Sequence, residues 1–543
     1  MNKALKIKRG LRSIVCSLSV VVPSAFASME QPHYVGTDEP FAEKAVYFVV
    51  TDRFVDGDPS NNYEDQGGEY PTFNRPVLSE SGQAIANIGY MGGDFAGIVK
   101  NAGYIAEMGF SAVWGTPIID NPDQAFSGGL AIGEGFPTDK FKTGYHGYWG
   151  VNFYKLDEHL PSEGLQFAEF TSALDEYGLD FVLDIVGNHG SPSFDMPRDQ
   201  PKFGEIYGAD GNRIADHLNR SPDEISAAEA ESGFFHNFPD IGQLSNFNEN
   251  SPIVVEYLLN SYLYWLDQGA DAIRIDTIKH VPNHFWKTIT DGIRASYPDM
   301  FFFAEHWSHD AEAIAQHTKP ENGGISVLDF PGQKAMQSVF GLDDQPMSDL
   351  LAYLHLEDGI YENPYELMTF YDNHDMSRMN AKDAGFINAH NWLFTSRGIP
   401  VVYYGSETGF RRGQGEHAGN RDYYGQDKVD WGVNHPIRRA LIDIAQVRKR
   451  SVALQRGVQI NDTFSTDTAS FIRAYQDESV SELALVMLNK SAEARSVSLT
   501  VPHSCNYKEA LTGREMTIER GGWSQRLEPN SVAVWLCSSP FAL

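Results

Sequence analysis

Ala272-Ile-Arg-Ile-Asp-Thr-Ile-Lys-His280 is a short apolar run that ends in charge. Its first four residues suit a buried strand. The run closes on Asp276, with Arg274 two residues earlier, so both side chains fall on one face of that strand. An acid at the end of an apolar strand is costly to bury unless it is paired or put to chemical use. The same pattern recurs in Asp184-Ile-Val-Gly-Asn-His189, Phe302-Phe-Ala-Glu305 and Tyr371-Asp-Asn-His-Asp375. Four strands that each deliver polar groups at the carboxyl end predict a parallel barrel whose rim is a catalytic floor.

Working outward, strand-like runs alternate with helical patterns from Ala45 to about Val452. Eight runs qualify: Ala45–Val50, Ala112–Trp114, Phe181–Val186, Ala272–Ile275, Phe301–Ala304, Ile325–Leu328, Leu367–Phe370 and Val401–Tyr404. Eight strands predict an α/β fold, a closed (β/α)8 TIM barrel over residues 29–187 and 251–454. Before the fourth run, Ser251 suits a helix cap, Pro252 a first turn and Gly269 a terminator. Val255, Leu258, Leu259, Tyr262 and Leu266 would form that helix's apolar face. Residues 188–250, rich in Pro, Gly, Asn and aromatics, are too many for a βα connection and predict a subdomain inserted after the third strand. Beyond residue 455 the pattern becomes alternating strands, as in a C-terminal antiparallel β-sandwich over 455–543.

The chain has 543 residues, 42% of them hydrophobic, enough for two or three domains, and a formal charge of -31. That charge argues against nucleic acid as a partner, since phosphates require a basic surface. Lys3, Lys6, Lys8, Arg9 and Arg12 precede an apolar run over Ile14–Val22, and Ala25-Phe26-Ala27 suits cleavage, so residues 1–28 read as a signal peptide. Removing those five cations from 42 leaves 37 basic groups against 73 acidic ones. No run is long enough to span a membrane. The expectation is an exported protein, extracellular or periplasmic, read as a monomer. Cys505 and Cys537 then remain, and an oxidising compartment allows a Cys505–Cys537 disulfide or leaves two buried thiols.

Barrel topology would bring Asp276, Glu305 and Asp375 to one rim. Two carboxyls about 5–5.5 Å apart suit a retaining glycosidase. Arg274 would keep Asp276 ionised, and the apolar Phe301–Ala304 run would raise Glu305 towards an acid catalyst. These segments, with Val50-Thr-Asp-Arg-Phe54, Met91-Gly-Gly-Asp94 and Gly144-Tyr-His-Gly-Tyr-Trp149, resemble the α-amylase family of glycoside hydrolases, in particular its cyclodextrin glucanotransferase and related α-amylase branch. The resemblance implies Asp276 as nucleophile, Glu305 as general acid/base and Asp375 as transition-state stabiliser. It also implies that Arg274, His189, His374, Tyr148, Trp149, Lys279 and His280 meet substrate, with Tyr148 and Trp149 read as a sugar platform in a glycine-flanked loop.

The resemblance further implies one or two calcium ions. Asn188 and the His280 carbonyl match one site. Spacing puts its acidic ligand at Asn246, with Asp240 of Phe238-Pro-Asp240 as the alternative. Asp56, Asp58, Asn61, Asn62, Gly92 and Asp94 match a second site of hard oxygens. The expected activity is α-1,4-glucan hydrolysis, as in an α-amylase. A glucanotransferase is the alternative and an inactive sugar-binding relative the remote one. Two features favour hydrolysis: Gly242 falls where glucanotransferases commonly carry an aromatic ring, and the chain ends after one sandwich. Glu305-His306 with His309 lacks a zinc spacing, and the Gly409–Gly415 run lacks the ending of a phosphate loop and reads as a mobile rim loop.

Overall fold

The computed structural model describes residues 33–543 except 79–80, 129–140, 194–199, 221, 227–232 and 417–418. The signal-peptide reading therefore lies outside the described residues. Eight parallel strands form the barrel: β1 Val46–Val49, β2 Ala112–Gly115, β3 Asp180–Ile185, β4 Ala272–Ile275, β5 Phe301–Ala304, β6 Ser326–Val327, β7 Met368–Thr369 and β8 Ile399–Tyr403. All eight runs read from sequence are strands, with ends that match or shift by one or two residues. Neighbours pair in chain order from β1 to β6, and β1 also pairs with β8, which pairs with β7. A parallel bridge between Leu328 and Met368 brings β6 to β7 and closes the ring. β1, β2, β4 and β5 are buried along their whole length, as expected of strands covered on both faces.

Helix α1, Pro252–Leu266, starts where Pro252 predicts, and Gly269 follows it at φ 102°. Two details differ from expectation. Ser251 makes no side-chain cap, and the buried face is Val254, Tyr257, Leu258, Tyr262 and Trp265, whereas Val255 and Leu259 are half-buried. Trp265 Nε1 donates to the Phe153 carbonyl (2.8 Å) and Tyr262 Oη to the Val186 carbonyl (2.9 Å), which locks the helix to the strands before it.

After β3 the chain runs through His189–Pro192 and returns as Leu244–Asn246, an antiparallel pair that frames the inserted segment. The C-terminal part is a six-stranded antiparallel sheet faced by the pair Arg495–Val501 and Gly521–Leu527. In Arg495–Val501, buried and exposed residues alternate, the mark of one face on a core. That core includes Leu485, Met487, Leu499 and Trp535. Cys505 and Cys537 are joined in a disulfide there.

Candidate active site

Asp276 and Glu305 each follow their strand by one residue, and Asp375 lies in the loop six residues past β7. The Asp276 amide donates to the Ile185 carbonyl and the Glu305 amide to the Ile275 carbonyl, both 2.9 Å, so ladder geometry carries the two residues side by side onto the rim. Thr277, next in the chain, sits in the left-handed region at φ 46°, a costly conformation for a β-branched residue and one typical of functional turns. Arg274 is fully buried. Its Nη1 donates to Asp276 Oδ1 and Asp184 Oδ1, and its Nη2 to Glu305 Oε2, all at 2.8 Å. One planar guanidinium therefore spans both carboxyls of the proposed pair, a task for arginine's rigid fork.

Asp184 is the register partner of Arg274 across β3 and β4, which explains its place beneath the site. It also accepts from Tyr148 Oη (2.8 Å) and Trp114 Nε1 (3.0 Å). Asp184 opened one of the four segments, yet nothing in the sequence separated its role from that of a core acid. Arg421 was missed altogether. It reaches back from the loop after β8 to Asp375, whose other oxygen lies 3.2 Å from His374 Nε2. A lone arginine in a loop carries no pattern that could have revealed this.

Burial pushes the Glu305 carboxyl up to about 8, with the nearby Asp375 and Asp276 charges adding to the rise and Arg274 opposing it. Burial likewise raises Asp184 to about 7 against the pull of Arg274. At Asp375 burial again penalises charge, but His374, Arg421 and Arg274 outweigh it and hold the carboxyl below its ordinary value. Burial takes His374 itself down to about 3, so that ring is neutral and contributes a hydrogen bond, while Arg421 supplies the cation. The site thus holds one carboxyl that is protonated near neutrality beside another kept ionised.

The structure also gathers the platform residues, with one correction. Tyr148 is half-buried and its ring lies parallel to His374, centroids 5.5 Å apart. His189 is buried, burial lowers its pKa, and the Asp276 charge acts against that shift. Trp149, in contrast, is 4% exposed and packs against Phe126 and Phe203, so it is a core aromatic and not a sugar platform. The glycines that flank it let the loop turn the indole inward to that apolar patch. Lys279 is exposed on the short helical turn Ile278–His280.

The first calcium group needs a second correction. Asp240, not Asn246, meets its partners: Asp240 Oδ2 lies 3.1 Å from Asn188 Nδ2 and 2.9 Å from His280 Nδ1. Asn246 is held in the frame of the insert, paired with His189 and donating to the Phe238 carbonyl. Extra chain between Asp240 and α1 defeats simple counting. The same offset of four that picked Gly242 now points to His236, whose ring stacks on Phe238 at 4.7 Å. The glycine argument against transfer therefore falls.

The second group passes a direct test for a cation. Asp56 Oδ1, Asn61 Oδ1 and Asn62 Oδ1 are buried and lack any hydrogen-bond partner. Gly92, at φ 88°, closes the cradle: a Cβ there would come 2.4 Å from Asn62 Oδ1 and 3.0 Å from Asp56 Oδ2. Asp94 orients the loop by accepting from the Gly57 and Asp58 amides. Asp58 differs from expectation, since its side chain turns to Ser60 instead of the cradle. Hard oxygens with orphaned lone pairs fit calcium. Asp120, Asp123 and Glu158 form another acidic cluster, in which Lys155 and Lys202 already pair with the three carboxyls.

Comparison with known proteins adds to this geometry. The family model described as "Alpha amylase, catalytic domain" matches residues 48–434. The cyclomaltodextrin glucanotransferase of Klebsiella oxytoca is 28% identical, over 90% of this chain and 76% of its own. The crystal structure of CldA, a cyclomaltodextrin glucanotransferase with a three-domain ABC distribution, is 27% identical at TM-score 0.73, covering 91% of this chain and 99% of that one. The α-amylase of Geobacillus thermoleovorans, solved with acarbose, is 25% identical at TM-score 0.67, covering 91% and 98%.

Proposed function

The chain belongs to the α-amylase family of glycoside hydrolases and acts on α-glucans, and from that premise we propose that it hydrolyses α-1,4-glucosidic bonds of starch or maltooligosaccharides with retention of configuration. The observation that carries this reading is Arg274, which bridges Asp276 and Glu305 while burial favours the protonated form of Glu305. Protonated Glu305 gives its proton to the glycosidic oxygen as Asp276 attacks the anomeric carbon, and the bond to the leaving chain breaks. A glucosyl ester on Asp276 results. Glu305, now a carboxylate, takes a proton from water, whose oxygen displaces Asp276 and releases sugar of the original anomeric form. Asp375, held ionised by Arg421, would bind sugar hydroxyls and offset positive charge at the anomeric carbon. Tyr148 offers a ring edge and face beside His374 for the apolar side of the pyranose.

Calcium, when bound, would cross-link loops that the acids alone cannot hold together. Asp56, Asn61, Asn62, Asp94 and the Gly92 carbonyl would hold one ion, and Asn188, Asp240 and the His280 carbonyl another. The disulfide suits export to an oxidising compartment. Among the described residues no helix is long and apolar enough to cross a membrane.

A second reading, transfer to a sugar acceptor, has its own support. Phe238 is 50% exposed against His236, and Trp307, two residues past Glu305, is 43% exposed. Such rings could hold an acceptor sugar in place of water. CldA also removes the argument from a short chain, being a glucanotransferase of the same extent. Incubation with maltoheptaose, with and without added glucose, separates the readings by chromatography: shorter products support hydrolysis, and products longer than seven units overturn it.

A further inference from the structure

Helix α2, Gly425–Gly432, and helix α3, Pro436–Lys449, follow the loop after β8. Between them and that loop lies an open pocket of about 620 Å³ lined by Phe410, Arg412, Asp427, Lys428, Trp431 and His435, among others. None of these residues belongs to the active site. The size falls in the ~300–1,000 Å³ range of small-ligand sites. Trp431 is 61% exposed, so its indole is available to a ligand. The His435 ring stands against it, centroids 4.9 Å apart and planes inclined by 52°, to form an aromatic corner.

The polar groups of the pocket are set for hydrogen bonding without net charge. Lys428 pairs with Asp427, and Arg412 with Asp383, so the cations are already matched by anions. His435 Nδ1 accepts from the Ile437 amide (3.3 Å) as the cap of α3, which leaves the proton on Nε2. One wall is fixed by Gly409, at φ 63°, where a Cβ would lie 2.4 Å from Arg412 Nε. The run read as a mobile rim loop is thus the back of a formed pocket. An open aromatic face, donors and acceptors together, and cations already paired with anions suit a neutral polyhydroxylated ring, not a phosphate or a peptide of one charge.

We propose that this pocket is a second α-glucan-binding site, separate from the catalytic cleft, in which the apolar face of a glucose unit stacks on Trp431 while His435 Nε2, Lys428 and Asp427 meet its hydroxyls. The proposal rests on the α-glucan reading of the substrate, and it explains an indole left open to solvent on a polysaccharide-acting enzyme. A site of this kind would hold a polymer chain near the rim without taking part in bond breakage.

The test compares Trp431→Ala and Trp431→Phe with the unsubstituted chain. Electrophoretic retardation in gels containing soluble starch should weaken by about tenfold for Trp431→Ala, equivalent to ~1.4 kcal/mol of stacking, and largely recover in Trp431→Phe. The rate on a short blocked chromogenic maltooligosaccharide should stay within about twofold, since stacking at a remote site contributes binding and not chemistry. Equal retardation of all three proteins in starch would overturn the site. So would a change of sedimentation from dimer to monomer in Trp431→Ala with unchanged retardation, because the indole would then be a contact between copies. Failure of the underlying reading looks different: the unsubstituted chain would not cleave starch at all.

Discussion

Replacing Arg274 by Met tests the electrostatic design of the site most deeply, because it removes a single cation shared by three carboxyls. In the structure that cation, itself fully buried, donates to Asp184, Asp276 and Glu305, each at 2.8 Å. Methionine keeps the aliphatic stem and abolishes the charge. A cation within ~4–6 Å typically lowers a carboxyl pKa by about 1–3 units. Glu305, about 8 with Arg274 present, should therefore titrate about 1–3 units higher without it. The basic limb of kcat/KM, where the acid catalyst loses its proton, should begin near pH 8 in the parent and move to higher pH in the variant. The maximal rate should fall, since the partner carboxylate loses the donor that orients it.

The same change makes a prediction about stability, and its sign follows from linkage. A carboxyl whose folded pKa is raised binds more protons when folded than when unfolded, so stability is lost as pH rises towards that folded pKa. Removing Arg274 raises these pKa values further. The variant should lie close to the parent at pH 5 and be less stable by about 3–4 kcal/mol at about pH 9, because a ~2-unit rise above the folded values of about 7 for Asp184 and about 8 for Glu305 separates the two proteins only once the parent's carboxyls ionise. Urea unfolding at both pH values measures this difference, and a pH series of initial rates on a blocked maltooligosaccharide measures the limb. An unmoved basic limb, or a stability loss independent of pH, would refute the reasoning.

Three further outcomes are expected. Glu305→Gln should lose about 10²–10⁴-fold on maltooligosaccharides but far less on a dinitrophenyl glycoside, whose leaving group needs no proton. Calorimetry with and without a chelator should show Asp240→Ala losing calcium-dependent stabilisation, while Asn246→Ala keeps it; the opposite result would restore the counting argument. Replacing Cys505 and Cys537 by Ser should cost about 3–4 kcal/mol by the entropy of closing a loop of separation 32, measured against the oxidised parent in denaturant.

Much of the barrel was legible because buried parallel strands read as continuous apolar runs, and the acids marked their carboxyl ends. The short strands β6 and β7 were found by the same rule, although each contributes two residues to the sheet. The acids of the site were legible for a related reason: a costly charge after an apolar run is conspicuous. What failed were inferences that needed a side chain's direction or an exact register. Tyr148 and Trp149 are neighbours in one glycine-flanked loop, yet one faces the site and the other the insert's core. Counting along the insert picked Asn246 because irregular chain has no fixed rise per residue, and only the fold brings Asp240 to Asn188 and His280. Arg421 lies 46 residues from Asp375, so nothing local connects them.

The direct test of the central claim is the anomeric form of the first product. Proton NMR during the opening minutes of hydrolysis, before mutarotation, reports it without assumptions about residues. Two carboxyls gathered on one guanidinium, with no water between them in the first step, predict that the newly formed reducing end appears as the α-anomer and only later equilibrates. Initial release of the β-anomer would mean a single displacement by water, and would contradict the roles assigned to Asp276 and Glu305.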